Sequence, residues 1–198
     1  MRRISKLSDL VAEFPGIGPR QARRIVQFLL SKPDSYRSEL ARDIAGLGTA
    51  ISQCALCLRY DELQNRKLCT HCADESRDTK TLMVVERDVD IDAVEGSGAY
   101  RGMYFVLGGL IPMARQKKNG TEPRISQLES RIQNGIRELI IALSTTPEGD
   151  YTAHELSAIV KAKHADMHIT LLGRGLSIGA EIEYADSETL RNALQNRN

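Results

Sequence analysis

Four cysteines, and no others, stand within 19 residues of this chain: Cys54-Ala-Leu-Cys57, eleven residues, then Cys69-Thr-His-Cys72. Two CxxC knuckles this close present four thiolates that can surround one zinc ion tetrahedrally. No other feature constrains the fold as strongly, because a segment this short cannot build an apolar core of its own and needs a staple. Disulfides are the alternative. The N-terminus, MRRISKLSDLVAEF, lacks the long apolar stretch of a secretory signal, so a cytoplasmic, reducing setting is expected, which favours free thiolates. A redox CxxC would use only one of the two pairs. His71 offers a further donor, but four sulfurs complete the shell, and a closed shell makes the expected zinc, one per chain, structural. The intervening RYDELQNRK reads as a solvated polar loop.

Upstream, Phe14 to Leu30 reads FPGIGPRQARRIVQFLL. Ile4, Leu7, Leu10, Val11 and Phe14 recur at helical spacing before it, and Ala22, Ile25, Val26, Leu29 and Leu30 repeat the pattern within it. Pro19 suits a first helical position, so the stretch predicts helix, tight turn, helix. Gly16 and Gly18 permit backbone angles that other residues resist and bare the amides at the start of the second helix. Such amides, with the positive end of the helix dipole, attract a phosphate oxygen. Arg20, Arg23 and Arg24 lie within about one turn of that point and supply charge for neighbouring phosphates. The plainer alternative is a packing unit with glycine for geometry alone. A third amphipathic helix, carrying Tyr36, Leu40, Ile44, Leu47 and Ile51, is expected to close this small domain.

Charge supports the phosphate reading. Residues 1–80 carry 14 Lys and Arg against 10 Asp and Glu, whereas residues 81–198 carry 13 against 16. Seven basic and two acidic residues fall within residues 1–32, the asymmetry expected of a module with a polyanionic partner. A solvated basic face would give the same counts. No apolar run approaches the roughly 20 residues that span a bilayer.

From Thr81 the texture changes. Short apolar runs at Leu82–Val85, Met103–Leu107, Leu139–Leu143 and Ile169–Leu172 alternate with helical patterns at Val89–Glu95, Ser126–Gly135 and Thr152–Lys163. This predicts a small parallel sheet covered by helices. A capping box, Ser126-Gln-Leu-Glu129, is expected to open the second of these helices. Functional groups of such sheets gather beyond the carboxyl ends of the strands. That rule selects Glu86, after the first strand, and Glu148-Gly149-Asp150, after the third. Loops there would converge the three carboxylates as oxygen ligands for Mg²⁺; helix-terminal and loop residues are the alternative, with Asp88 as a helix cap. Asp88-Val-Asp90-Ile-Asp92 is no calcium loop, because Ala93 and Ala99 replace the required Gly and Glu. Arg115 to Arg124 is a net-basic loop, read as solvated. Gly173 to Gly179 is glycine-rich but matches no phosphate-loop spacing, and a last amphipathic helix runs through Leu190 and Leu194.

The Gly-Ile-Gly turn resembles a helix-hairpin-helix motif. The whole order, with FPGIGPRQA, the CxxC pairs, VVERDVDIDAVE, YFVLGG, EGDYTA and GRGLSIGAEIEYADSETL, resembles the bacterial RecR family over essentially the whole chain. The resemblance implies an α/β protein with a small all-α helix-hairpin-helix domain (residues 1–53), a four-cysteine zinc finger (54–78), a Toprim domain (79–172) and a C-terminal glycine-rich loop and helix (173–198). It implies a nucleoid-associated recombination mediator rather than an enzyme. Such a protein acts with RecO, and in many bacteria RecF, to load RecA on single-stranded DNA, and assembles as a homo-oligomer, including tetrameric rings. The Toprim acidic positions match as Glu86, Glu148 and Asp150. Glu-x-Asp stands where Toprim enzymes commonly have Asp-x-Asp, and Ser144-Thr145 replaces the family's Asn-Pro. The rival reading is a Mg²⁺-dependent Toprim enzyme such as a small nuclease, with Glu86 as acid/base and Glu148 and Asp150 on the metal.

Overall fold

A computed structural model of the chain describes residues 2–113, 123–176 and 178–197. The chain divides after Ile51 into two compact units. The predicted basic loop lies outside the described residues as far as residue 122; only Pro123 and Arg124 of its end are described.

The first unit holds three helices, α1 (Arg2–Ala12), α2 (Pro19–Ser31) and α3 (Asp34–Ala50). The expected helix pair forms, and Val11, Ala22 and Val26 are its buried apolar contacts. The expected closure by α3 does not occur: none of its residues is buried. Its start is tied to the end of α2 by an edge-on Phe28–Tyr36 ring pair, with Lys32 Nζ 4.6 Å from the Phe28 ring centre. Arg37 reaches back to the Leu29 and Lys32 carbonyls. Beyond that anchor Leu40, Ile44 and Leu47 are exposed, and on the helix pair itself Ile4, Leu7 and Leu10 are likewise left uncovered.

The second unit opens with the short antiparallel pair β1 (Ser52–Gln53) and β2 (Tyr60–Asp61), followed by α4 (Thr70–Ala73). Then come β3 (Asp78–Val85), α5 (Asp88–Ser97), β4 (Gly102–Val106), α6 (Ile125–Ile132), β5 (Glu138–Ala142), α7 (Pro147–Lys163), β6 (His168–Leu171), a 3₁₀ turn at Ile182–Tyr184 and α8 (Ser187–Gln195). The last four strands form one parallel sheet in the order β4-β3-β5-β6. Side chains alternate across it, so each apolar run feeds two layers. Leu82, Val84, Phe105 and Ile141 pack under Leu128 of α6 and Leu156 of α7. Met83, Val85, Tyr104 and Val106 pack on the other face with Ile91 of α5 and with Cys54, Cys57, Leu63 and Cys69. The cysteine segment therefore shares a core with the sheet.

Several local expectations need correction. RYDELQNRK is not all solvated loop: it supplies β2 and the buried Leu63. The Ser126–Glu129 capping box is absent, since α6 begins one residue earlier and Ser126 Oγ donates to Gln127 Oε1 instead. The N-cap of α5 is not Asp88 but Arg87, whose amide donates to the carboxylate of Asp90 at 2.8 Å. Arg124, the end of the predicted solvated loop, is half-buried, and its guanidinium donates to the Leu58 and Val106 carbonyls. Most consequential, α7 starts at Pro147, five residues before the predicted start, on an N-cap Thr146 whose hydroxyl accepts from the Gly149 amide at 3.1 Å. Glu148 and Asp150 are thereby first-turn helix residues rather than loop residues.

Candidate functional site

In the helical unit the turn is built as its glycines suggest. Gly16 has φ +77°, the left-handed region that glycine enters without strain, and the Ile17 amide donates to the Phe14 carbonyl at 3.0 Å to close the turn. Gly18 caps α2 with no side-chain partner, and the first helical bond is Ala22 N to Gly18 O at 2.9 Å. Among the described residues the amides of Gly18, Arg20 and Gln21 have no protein acceptor, as a helix start requires when no cap supplies one. Arg20, Arg23 and Arg24 are all exposed. The structure thus brings the two glycines and three arginines to one helix start.

The four cysteine sulfurs lie within 4.8 Å of one another, with Cys57 Sγ and Cys69 Sγ 3.6 Å apart. A tetrahedral zinc–thiolate site with bonds of about 2.3 Å needs sulfurs about 3.8 Å apart, so this set fits such an ion. Cys54, Cys57 and Cys69 are buried and Cys72 is half-buried. Hydrogen bonds among the sulfurs pull the Cys54 thiol below its ordinary range and push those of Cys57 and Cys72 above theirs. The knuckles are shaped by Leu58 N to Cys54 O at 3.0 Å and Cys69 N to Cys54 Sγ at 3.4 Å.

His71 is not needed as a ligand and turns elsewhere. Its Nδ1 lies 3.4 Å from Arg77 and 3.7 Å from Glu95. Arg77 is buried, pairs with Glu95 at 2.6 Å, and donates to the Gly102 carbonyl at the start of β4. Tyr104 Oη donates to the other Glu95 oxygen at 2.6 Å. A buried arginine needs a paired charge, and here the terminal nitrogens of Arg77 find it on Glu95 and fasten the second knuckle to α5 and β4. The first knuckle is fastened by the Cys57 carbonyl, which accepts from Val106 N at 2.8 Å. Neither Arg77 nor Arg124 was legible as structural from spacing, since nothing in the sequence marks a buried arginine.

At the carboxyl ends of the strands the chain reverses direction across the sheet between β3 and β5, the switch point where ligands of open α/β sheets gather. Glu86 follows β3, and Glu148 and Asp150 stand on the first turn of α7, so all three predicted carboxylates belong to this end. They do not converge. Among the described residues the cysteine quartet alone brings three or more Cys, His, Asp or Glu ligand atoms within 4.8 Å of one another. Glu86 Oε2 accepts from Ser144 Oγ at 3.0 Å. Both Asp150 oxygens accept from the Arg174 guanidinium, which holds the Asp150 carboxyl below the usual carboxylate range.

Gly149 explains the spacing of the pair. A Cβ there would overlap the Ser144 carbonyl oxygen and lie 3.0 Å from that residue's carbonyl carbon and hydroxyl. Only glycine lets α7 come this close to the strand end. Thr152 Oγ1, fully buried in the next turn, accepts from the Ile111 amide at 2.9 Å and so ties the segment after β4 to α7. Sequence reasoning noted Ser144 only as a departure from the family's Asn-Pro, without its bond to Glu86, and gave Arg174 no role; Thr146-Pro147, an N-cap followed by proline, was the signal for the true start of α7.

A parallel sheet of this order with carboxylates at its switch point defines a Toprim-domain protein, and the Toprim domain family model matches residues 80–172. A second model, RecR, C-terminal, matches residues 175–198. Proteins named Recombination protein RecR are similar over nearly the whole chain. That of Cereibacter sphaeroides is 38% identical over 195 residues, covering 98% of this chain and 95% of its own length. Those of Hyphomonas neptunium and Porphyromonas gingivalis are 37% and 38% identical, covering 98% and 99% of this chain and 94% and 92% of their own lengths. The chain belongs to the RecR family.

Proposed function

We propose that the chain is a DNA-binding recombination mediator, not an enzyme, which acts with RecO (and RecF) to load RecA on single-stranded DNA in recombinational repair. The relatives' name supports the recombination role. The observation that carries the DNA contact is the start of α2, where amides of Gly18, Arg20 and Gln21 that find no acceptor among the described residues meet exposed Arg20, Arg23 and Arg24. Amides and guanidinium groups bind phosphate without reading bases, which suits action at any sequence. The cysteine quartet is assigned one structural zinc, on the sulfur spacing. The carboxylates Glu86, Glu148 and Asp150 are assigned to partner docking rather than catalysis, supported by the Glu-x-Asp pair that stands where Toprim enzymes commonly have Asp-x-Asp.

A homo-oligomer, including a ring-like tetramer, is supported by the uncovered stripe on α3. Leu40, Ile44 and Leu47 are 37%, 58% and 59% exposed on one helical face, an apolar surface that water disfavours and a second copy would bury.

The DNA contact is tested by salt dependence. Binding to duplex DNA should weaken with a log–log slope of about −0.9 per neutralised phosphate. Arg20→Glu, Arg23→Glu and Arg24→Glu together should remove most of the affinity and flatten the slope, with the helical circular dichroism unchanged. Undiminished binding by the folded triple variant sinks the assignment. RecA assembly on protein-coated single-stranded DNA, with RecO present, then tests mediation; Mg²⁺-dependent cleavage without stimulation would restore the nuclease reading.

A further inference from the structure

The Toprim fold implies a divalent ion at Glu86, Glu148 and Asp150, and the residues here do not fit one. Mg²⁺ requires near-octahedral oxygen ligands at about 2.0–2.1 Å, hence carboxylates that can turn toward a common point. Asp150 already has a cation, because both its oxygens accept from the two terminal nitrogens of Arg174. Glu86 is engaged by Ser144 Oγ. Neither arrangement is loosely held. The Arg174 carbonyl accepts from Asn196 Nδ2 at 3.0 Å, which ties it to the end of α8. Ser144 is pressed against Gly149 with no space for a Cβ between them.

We infer that Arg174 is a built-in counter-cation of this Toprim domain: its guanidinium occupies Asp150 in place of a divalent metal and, in doing so, latches the C-terminal segment to the first turn of α7. A forked guanidinium matches a carboxylate in charge and geometry, so it neutralises Asp150 without the dehydration that Mg²⁺ resists. The half-buried setting strengthens the pair: the Arg174 and Asp150 side chains are 31% and 45% exposed. One contact therefore does two things. It removes a metal ligand, and it gives the segment from Gly173 to Asn196 an ionic anchor on the sheet domain. The inference stands whether or not the chain mediates recombination, since it concerns only what occupies the carboxylates.

The test is Mn²⁺ titration of the full chain, with its cysteine site intact, followed by calorimetry and by the electron paramagnetic resonance of free Mn²⁺. Wild type and Arg174→Lys should show no site at the carboxylates. Arg174→Gln should gain one, and Arg174→Gln combined with Asp150→Asn should lose it. Hydrogen exchange supplies a second readout: in metal-free buffer, Arg174→Gln and Asp150→Asn should each speed exchange in α8 while β3 and β5 stay protected. Mn²⁺ binding by wild type that Asp150→Asn abolishes would overturn the inference, and needs no variant of Arg174 to fold. A folded Arg174→Gln with no Mn²⁺ site and unchanged exchange in α8 would overturn it equally.

Discussion

Gly149→Ala gives the sharpest test of how the switch point is built. Glycine inside a helix ordinarily costs about 1 kcal/mol relative to alanine, so the substitution should stabilise α7 if space allowed. Space does not allow it: the new methyl group would overlap the Ser144 carbonyl oxygen, a backbone atom that cannot swing aside. The first turn of α7 must then move off the strand end. That motion strains the Gly149 N to Thr146 Oγ1 cap and the Ser144–Glu86 bond. Overpacking costs about 1–3 kcal/mol, and a lost N-cap bond about 1 kcal/mol. Set against the gain in helix propensity, the net expectation is a loss of about 2 kcal/mol. At about 2–4 °C per kcal/mol for a unit of this size, the Tm should fall by roughly 4–8 °C. Gly96→Ala in α5 is the internal control, because nothing lies within 4 Å of the added Cβ; it should raise Tm slightly. Calorimetry of both variants decides the matter. Gly149→Ala at least as stable as wild type, beside a stabilised Gly96→Ala, would refute the reasoning.

Three further expectations follow from the same geometry. Removing the metal, or Cys57→Ser, should free the outer edge of β4, which Cys57, Arg77 and Arg124 now cover through the Val106 amide and the Gly102 and Val106 carbonyls. Bared edges pair with other chains, so chelation should open Cys54–Cys72 to protease first and then drive light-scattering aggregates; a protease pattern unchanged by chelation would count against a structural metal. The depressed Asp150 pKa gives a signed pH effect: the pair's contribution is present above the unfolded carboxylate pKa and is lost as pH falls through the lower folded value. Proteolysis of the C-terminal segment should accordingly rise only below about pH 4 in wild type and already at neutral pH in Asp150→Asn. Finally, Ile44→Glu with Leu47→Glu should shift the proposed oligomer toward monomer, read by multi-angle light scattering, without altering the melting of the sheet unit; an assembly equal to that of wild type would show that α3 is not the contact.

The elements most legible in the sequence are those whose cause is local. Two CxxC knuckles bring four sulfurs together because each knuckle is shaped by bonds within a few residues, such as Leu58 N to Cys54 O. Gly16 takes φ +77° because a turn between adjacent helices demands it, and apolar runs with both faces buried become parallel strands because alternate side chains need two layers. The three carboxylates were placed at the correct end of the sheet by strand polarity alone. Sequence patterning could not decide what meets what. Whether α3 covers a core depends on where the chain after α2 carries it, and it leaves Ile4, Leu7 and Leu10 of the helix pair exposed. Whether Asp150 faces a metal or a guanidinium depends on where residue 174 returns, 24 positions along the chain. Arg77 and Arg124 look like any surface arginine until the cysteine segment and β4 close around them. Such contacts are set by the sum of all packing in the unit, where a carboxylate takes a cation the fold supplies and an arginine is buried where acceptors close around its guanidinium. That is a property of the assembled tertiary structure, and no window of residues contains it.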